Sequence, residues 1–253
     1  MRRIQIDTLA IDDVTFDEAV SLIVEWAREG SGGYVTTPNI DHVVRAHRDP
    51  EFRATVGGAR LRVPDGMGVV YGSWICGTPF RGAVTGRLLP AAIARATAAD
   101  PLPVALIGGR GEAPATAAAQ LNEMGARVVA SVSPAMGFAI GGAEDIAAVT
   151  KLISAEPRIV YVGLGAPKQE AWMARHQAQL PQAVMIGVGQ AIDVLGGVTA
   201  AAPAWMTRVG LEWAFRMLRD PRRIAKRVFL GTPPFMWWML RARLSRRRRR
   251  RQR

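Results

Sequence analysis

Val162-Gly163-Leu164-Gly165-Ala166-Pro167-Lys168-Gln169-Glu170 is the stretch whose reading decides the fold. It closes a short apolar run and opens a polar one, as a buried parallel strand does when it hands over to an amphipathic helix. Gly163 and Gly165 let a ligand approach the backbone, Pro167 suits a first helical turn, and Lys168 and Gln169 add a charge and an amide. The same logic occurs twice more. Val104-Ala105-Leu106-Ile107-Gly108-Gly109-Arg110-Gly111 ends a strand in glycines ahead of a helix, where backbone amides and the helix dipole hold a phosphate, unless the glycines only make a tight turn. Ile186-Gly187-Val188-Gly189-Gln190 is a third strand end, followed by Asp193. Three such ends in one domain point to a nucleotide crevice at the carboxyl edge of a sheet, with ordinary strand-to-helix turns as the plain alternative.

Working outward, strands are expected at 34–37, 61–64, 103–108, 127–132, 158–164 and 184–189. Helices are expected at 15–29, 39–47, 50–56, 66–75, 86–98, 113–124, 143–154, 168–178 and 190–195, with Thr15 and Thr85 as candidate caps. Alternation of this kind predicts an α/β fold, a Rossmann-like layered domain with a largely parallel sheet. No repeat of fixed period points to a solenoid.

The chain of 253 residues is 49% hydrophobic and 21% charged, enough for a proper core. Its net charge of +12 sits at one end: from Met206 onward there are 16 basic and 2 acidic residues, so the first 205 residues carry a net −2. After the Ala-rich stretch at 200–204 the composition turns to Trp205, Trp213, Phe215, Phe229, Phe235, Trp237 and Trp238 interleaved with arginines. A boundary is placed there, giving an α/β domain over 1–205 and a C-terminal helical basic appendage over 206–253. The appendage is expected to hold amphipathic helices near 206–218 and 221–230, a Pro-kinked aromatic turn, and an Arg-rich end. A basic face beside Trp, Phe and Leu suits an interfacial segment on anionic lipid. The Arg246–Arg251 run alone would also bind nucleic acid, but the body offers no basic stripe to continue that contact, and Phe235, Trp237 and Trp238 favour lipid. The apolar stretch from Val228 to Leu240 has 13 residues where a spanning helix needs roughly 20. The expectation is a chain that lies on a membrane rather than crossing it, and nothing at the N-terminus reads as an export signal. The single cysteine, Cys76, excludes an internal disulfide and a thiolate metal site and fits a reducing compartment.

Two further strand exits carry small polar or acidic groups: Thr36-Thr37-Pro38-Asn39 and Val63-Pro64-Asp65-Gly66-Met67-Gly68. Asp65 reads either as a general base or as the N-cap of the helix over 66–75. His42, His47 and His176 lack metal-ligand spacing and read as surface or helix-packing residues. No Asp-X-Asp triplet suggests a metal-dependent sugar-nucleotide site, and no serine nucleophile elbow occurs.

Taken together, these segments resemble the WecG/TagA/CpsF glycosyltransferases, family 26 of the sugar transferases. The resemblance is carried by Thr36-Thr37-Pro38-Asn39, Asp49-Pro50-Glu51-Phe52-Arg53, Val63-Pro64-Asp65-Gly66-Met67-Gly68-Val69-Val70, Val84-Thr85-Gly86, Val162 through Glu170, and Gly187-Val188-Gly189 with Asp193. Ala202-Pro203-Ala204-Trp205-Met206, Gly210-Leu211-Glu212-Trp213 with Arg216, and Asp220-Pro221-Arg222-Arg223 extend it to about residue 230. It implies transfer of a sugar, N-acetylmannosamine, its uronic acid or a related hexose or uronic acid, from a UDP-sugar to a polyprenyl-diphosphate-linked saccharide. The transfer would invert the anomeric centre, at the inner face of the bacterial plasma membrane. The chain would then be cytoplasmic and peripheral, with no cofactor beyond the UDP-sugar donor and no nucleic-acid partner; a homo-oligomer is compatible with this reading. The resemblance makes Asp65 the base and lines the pocket with Thr37, Asn39, Gln169 and Asp193, beside Gly108, Gly163, Gly165 and Lys168. Arg216, Arg223 and Lys226 would meet the lipid diphosphate.

The chain departs from the family pattern before Val84-Thr85-Gly86, where Ala83 replaces the usual Arg and Arg87-Leu88 follows in place of Ser-Asp. Arg81 or Arg87 is the expected substitute for that cation, and Ala200-Ala201-Ala202 replaces a more basic stretch. The missing Arg also leaves an alternative of another class: a non-catalytic nucleotide-binding regulatory module recruited to membrane or nucleic acid by its basic tail.

Overall fold

A computed structural model describes residues 1–200, 202, 206, 215, 218 and 231–244. The chain opens with a hairpin of β1 (Arg3–Ile6) and β2 (Leu9–Asp12), paired antiparallel. It continues through α1 (Phe16–Glu29), β3 (Gly33–Thr36), α2 (Ile40–Arg48), α3 (Pro50–Gly57), β4 (Leu61–Arg62) and α4 (Met67–Ile75). A 3-10 turn (Gly86–Leu88) leads into α5 (Leu89–Ala96), β5 (Pro103–Gly108), α6 (Ala113–Glu123), β6 (Arg127–Val132) and α7 (Ala143–Ser154). The series ends with β7 (Ile159–Gly163), α8 (Lys168–His176), β8 (Val184–Gly187) and α9 (Ala191–Leu195), and residues 231–244 are helical, here α10. Six parallel strands form one sheet in the order β4-β3-β8-β7-β5-β6.

The expected Rossmann-like α/β layering is what the chain adopts, and the period of two along each strand explains it. Ile159 and Tyr161 of β7 face one core with Val104 and Leu106 of β5, under α1, α5, α6 and α9. Val160 and Val162 face the other core with Ala105 and Ile107, under α7 and α8, where Trp172 and Met173 are buried. On that side Asp145, fully buried, accepts from Trp172 Nε1 (2.7 Å), His176 Nε2 (3.0 Å) and Gly141 N (2.6 Å), fastening α7 to α8.

Every strand expected from the sequence is present, with small differences at the ends. β4 is short, Leu61–Arg62, although Val63 N and Asp65 N go on donating to Thr36 O and Pro38 O beyond it. The single helix expected over 86–98 divides into the 3-10 turn and α5, whose first turn carries Pro90. Thr15 caps α1 through a full capping box with Glu18, whereas Thr85 occupies a cap position without a side-chain bond.

The β1–β2 hairpin was not expected, and it founds a third core. Ile4, Ile6, Leu9 and Ile11 pack with Val43, Phe52, Val56, Val69 and Val70, and with Phe235 and Met239 from α10. Asp12, fully buried, binds the hairpin to the sheet edge. Its Oδ2 accepts from Arg62 N (2.9 Å), Nε (3.1 Å) and Nη2 (3.0 Å), and its Oδ1 from Arg3 Nε (3.0 Å).

The C-terminal segment corrects one expectation. Pro233 and Pro234 do not kink an aromatic turn; both lie within the helical residues 231–244. Phe235 is 1% exposed against Gly72, and Trp238 stacks on His47 at 3.8 Å, so of the three aromatics assigned to lipid only Trp237 is largely exposed. The helices expected at 206–218 and 221–230 lie outside the described residues apart from Met206, Phe215 and Leu218, which are helical. No helix among the described residues is long and apolar enough to cross a membrane.

Candidate active site

All the strand exits singled out in the sequence leave the same edge of the sheet, because all six strands are parallel. Neighbouring exits are laced together by hydrogen bonds. Val63 N donates to Thr36 O (2.9 Å) and Asp65 N to Pro38 O (2.9 Å), joining the β4 exit to the β3 exit. Thr37, buried, donates its Oγ1 to Gly187 O (3.0 Å) and so joins β3 to β8.

Asp65 does not cap α4. The N-cap there is Gly66, which makes no side-chain cap bond, whereas Asp65 Oδ1 accepts from Gly86 N (3.1 Å) at the start of the 3-10 turn. That turn also fits closely over Thr37: a Cβ on Gly86 would stand 2.8 Å from Thr37 Cγ2. Asp65, Thr37 and the Val84-Thr85-Gly86 segment therefore meet in one place. Carboxylate orientation by a backbone amide is the arrangement a general base needs.

Asn39 is held by its own helix. Its Oδ1 accepts from Asp41 N (3.0 Å), from His42 N (3.4 Å) and from His42 Nδ1 (3.0 Å), which makes it the N-cap of α2. His42 is buried, and its Nε2 lies 3.1 Å from Glu170 Oε1. Both ring nitrogens of His42 face side-chain oxygens, Nδ1 that of Asn39 and Nε2 that of Glu170. Glu170 Oε1 also accepts from Gln169 Nε2 (2.7 Å), and Gln169 Oε1 accepts from Gly189 N (3.2 Å). One buried chain thus runs from the β3 exit through Asn39, His42, Glu170 and Gln169 to the β8 exit. Burial pushes the Glu170 carboxyl up, but the hydrogen bond and charge of His42 and the bond from Gln169 outweigh it, and the group is held below the ordinary glutamate range. Among the described residues no hydrogen-bond partner reaches Glu170 Oε2, which is buried.

The exits of β5 and β7 form the other flank. Asp193, on α9, is committed to Arg110: its Oδ1 accepts from Arg110 N (2.8 Å) and its Oδ2 from Arg110 Nε (3.0 Å), while Arg110 Nη2 reaches Thr199 Oγ1 (2.9 Å). Asp193 therefore fixes the glycine loop after β5 and aims a half-exposed guanidinium along it. Gly108 and Gly163 serve packing: a Cβ on Gly108 would stand 2.6 Å from Gly163 O, and one on Gly163 2.8 Å from Ile192 Cδ1. Gly165 shares the positive φ of Gly108, but among the described residues nothing lies within 4 Å of where its Cβ would be. Lys168 turns away from this group, its ammonium bonded to Phe138 O and lying over the Phe138 ring.

Of the two cations expected to replace the Arg missing at Ala83, Arg81 binds both Glu18 oxygens and the Asp13 carbonyl beside α1, and Arg87 lies in the 3-10 turn next to Gly86. Arg216, Arg223 and Lys226 lie outside the described residues.

His42, Glu170 and Arg110 were left out of the site by the sequence reading. Their signals were present: Glu170 follows Gln169 in the deciding stretch, Arg110 sits inside a quoted glycine loop, and His42 lies three residues after the N-cap Asn39. No pattern along the chain, however, pairs residue 42 with residue 170.

With this geometry in place, comparison with known proteins is informative. A model of the Glycosyl transferase WecG/TagA/CpsF family matches residues 4–249. The chain belongs to that family. Relatives include three proteins named N-acetylglucosaminyldiphosphoundecaprenol N-acetyl-beta-D-mannosaminyltransferase. The one from Bacillus spizizenii is 29% identical over 196 residues, 77% of this chain and 74% of its own length. Those from Bacillus subtilis (26% over 193 residues; 76% and 73%) and Staphylococcus aureus (27% over 209 residues; 83% and 80%) are similar at the same level.

Proposed function

We propose that this family member is an inverting glycosyltransferase that moves an N-acetylmannosamine-type sugar, or a related hexose or uronic acid, from a UDP-sugar to a polyprenyl-diphosphate-linked saccharide. The observation that carries the proposal is the meeting of Asp65 with Thr37 and Gly86, flanked by the Asn39–His42–Glu170–Gln169 chain, at the carboxyl edge of a parallel sheet. The names of the three relatives, which specify a mannosaminyl transfer to a diphosphoundecaprenol-linked sugar, support the same chemistry.

In this mechanism Asp65 takes the proton of the acceptor hydroxyl as it attacks the anomeric carbon opposite the leaving UDP, through an oxocarbenium-like state. Thr37 fixes the β3 exit against β8, and Gln169, clamped between Glu170 and Gly189, presents its remaining amide donor to a sugar hydroxyl or the uracil. The leaving diphosphate gathers charge that Arg110, Arg87, the amides after Gly108 and Gly165, and the appendage cations Arg216, Arg223 and Lys226 stabilise. The basic C-terminal segment holds the chain at the cytoplasmic face of the membrane, where its lipid-linked acceptor resides. The decisive experiment incubates the full chain with UDP-sugars and a short lipid-diphosphate sugar acceptor. Acceptor-dependent release of UDP is expected; UDP-sugar binding without release under any acceptor would favour the regulatory-module alternative.

A further inference from the structure

α4 begins immediately after Asp65 and Gly66, and its sequence, Met67-Gly68-Val69-Val70-Tyr71-Gly72-Ser73-Trp74-Ile75, contains no charged residue. Val69, Val70, Gly72 and Ser73 are buried, yet Tyr71 and Trp74, which meet edge to face, are 43% and 52% exposed. A single exposed aromatic is ordinary; a contiguous set is a docking surface.

The set is contiguous because of how α10 lies against α4. Phe235 packs on Gly72, and Cys76 Sγ reaches the Met239 carbonyl and sulfur, so 235 and 239 face α4. Trp238 goes to one flank, on His47, while Arg243 goes to the other, its Nη1 donating to Ile75 O (3.4 Å). By helical periodicity Met236 and Leu240 share the Arg243 flank. Arg243 thereby meets the end of α4 at Ile75, one residue beyond Trp74 and four beyond Tyr71, and Trp237 (64% exposed) and Leu244 (60%) continue the flank outward on α10. From 231 to 253 there are nine arginines and no acidic residue.

We infer that α4 and α10 together form a composite bilayer-docking face, in which Tyr71 and Trp74 enter the headgroup region of an anionic membrane beside Trp237 and Leu240. Charge chooses the occupant: α4 carries no charge, α10 carries Arg241 and Arg243 and no acid, and the charged residues that follow α10 in the sequence are all cations, a combination that complements anionic lipid. The consequence is orientation. With Trp74 in the interface, Asp65, two residues ahead of the first residue of α4, sits roughly 15 Å back from it, so the candidate base directly precedes the helix that makes the membrane contact. The inference rests on the lipid-linked acceptor proposed above, and its test is separate from turnover.

The test is sedimentation of the full chain with vesicles of phosphatidylglycerol and phosphatidylcholine, alongside turnover of a water-soluble acceptor analogue. Tyr71→Ser with Trp74→Ser is expected to weaken vesicle partitioning by roughly tenfold or more, with the arginine tail intact and soluble turnover kept. Because both side chains are exposed, the fold is spared. Trp74→Phe supplies a second arm: brominated lipids should quench the wild-type tryptophan fluorescence more than that of this variant. Unchanged partitioning in the double variant, or equal quenching in the Phe variant, overturns the inference and leaves the tail as the anchor. A dimer that the double variant dissociates, with vesicle binding untouched, also overturns it by assigning the face to a second copy. Failure of turnover with any donor, while the vesicle effect persists, would count against the proposed reaction and leave the docking face standing.

Discussion

Glu170→Ala should be among the most damaging single changes in the protein. Its side chain is fully buried, and one oxygen accepts from both His42 Nε2 (3.1 Å) and Gln169 Nε2 (2.7 Å). Truncation leaves two buried side chains without the acceptor they share, and each buried polar group left unpaired costs about 1–3 kcal/mol, more where it is charged. That is a large share of the roughly 5–15 kcal/mol that holds a domain together. Glu170→Gln retains shape and a carbonyl acceptor but loses the charge, so about 1–2 kcal/mol is expected. Urea denaturation of both variants, with His42→Ala and the double variant, closes a thermodynamic cycle. The pH dependence supplies a further check. The carboxyl is held below its ordinary value of about 4.5, so its contribution is complete above that value and is lost as pH falls through the lower, folded-state value. The acid limb of wild-type stability should therefore flatten in Glu170→Gln. The reasoning is refuted if Glu170→Ala lies within about 0.5 kcal/mol of wild type, or if the single changes at 42 and 170 simply add.

Asp65→Asn is expected to cut turnover by roughly 100- to 10,000-fold while UDP binding persists; retention of more than about half the activity, far outside that range, would remove Asp65 as the base. Asp193→Asn should loosen the loop it holds through Arg110, raising KM for the donor more than it lowers kcat, and equal effects on both parameters would argue for direct contact with the reacting atoms. Turnover should survive excess EDTA, since the stabilising charges proposed are arginines and backbone amides; loss restored by magnesium or manganese would defeat that account. Truncation after Ala204 should release the chain from membranes, depress activity and also destabilise the fold, because it uncovers the pocket that Phe235 and Met239 fill. Deleting only Arg246–Arg253 should weaken vesicle binding at about 1 kcal/mol per well-placed cation and largely spare turnover of a soluble acceptor analogue.

The sequence by itself determined the layered sheet and the edge at which the site lies. Runs such as Ile159 to Val162 are apolar at every position, and only a strand covered on both faces can bury all of them. Gly163, Gly165, Gly187 and Gly189 then mark where the chain leaves the sheet, and parallel strands necessarily bring such exits to one edge. Asp65, Thr37 and Asn39 were singled out for the same reason, each standing just past a strand end, and Gln169 because it opens the helix after β7. What only the tertiary structure decided are the pairings between distant residues. Asp65 reads as a helix cap until Gly86 is seen to donate to it, and nothing along the chain shows that Glu18 binds Arg81. His42 looks like a packing residue until α8 brings Glu170 against it. The β1–β2 hairpin is four residues per strand, too short to stand out from its flanks, and it exists because α2, α3, α4 and α10 offer its apolar face a core. Local pattern fixes which residues are buried and where the chain turns; the partners that Thr37 and His42 find lie on elements more than a hundred residues away.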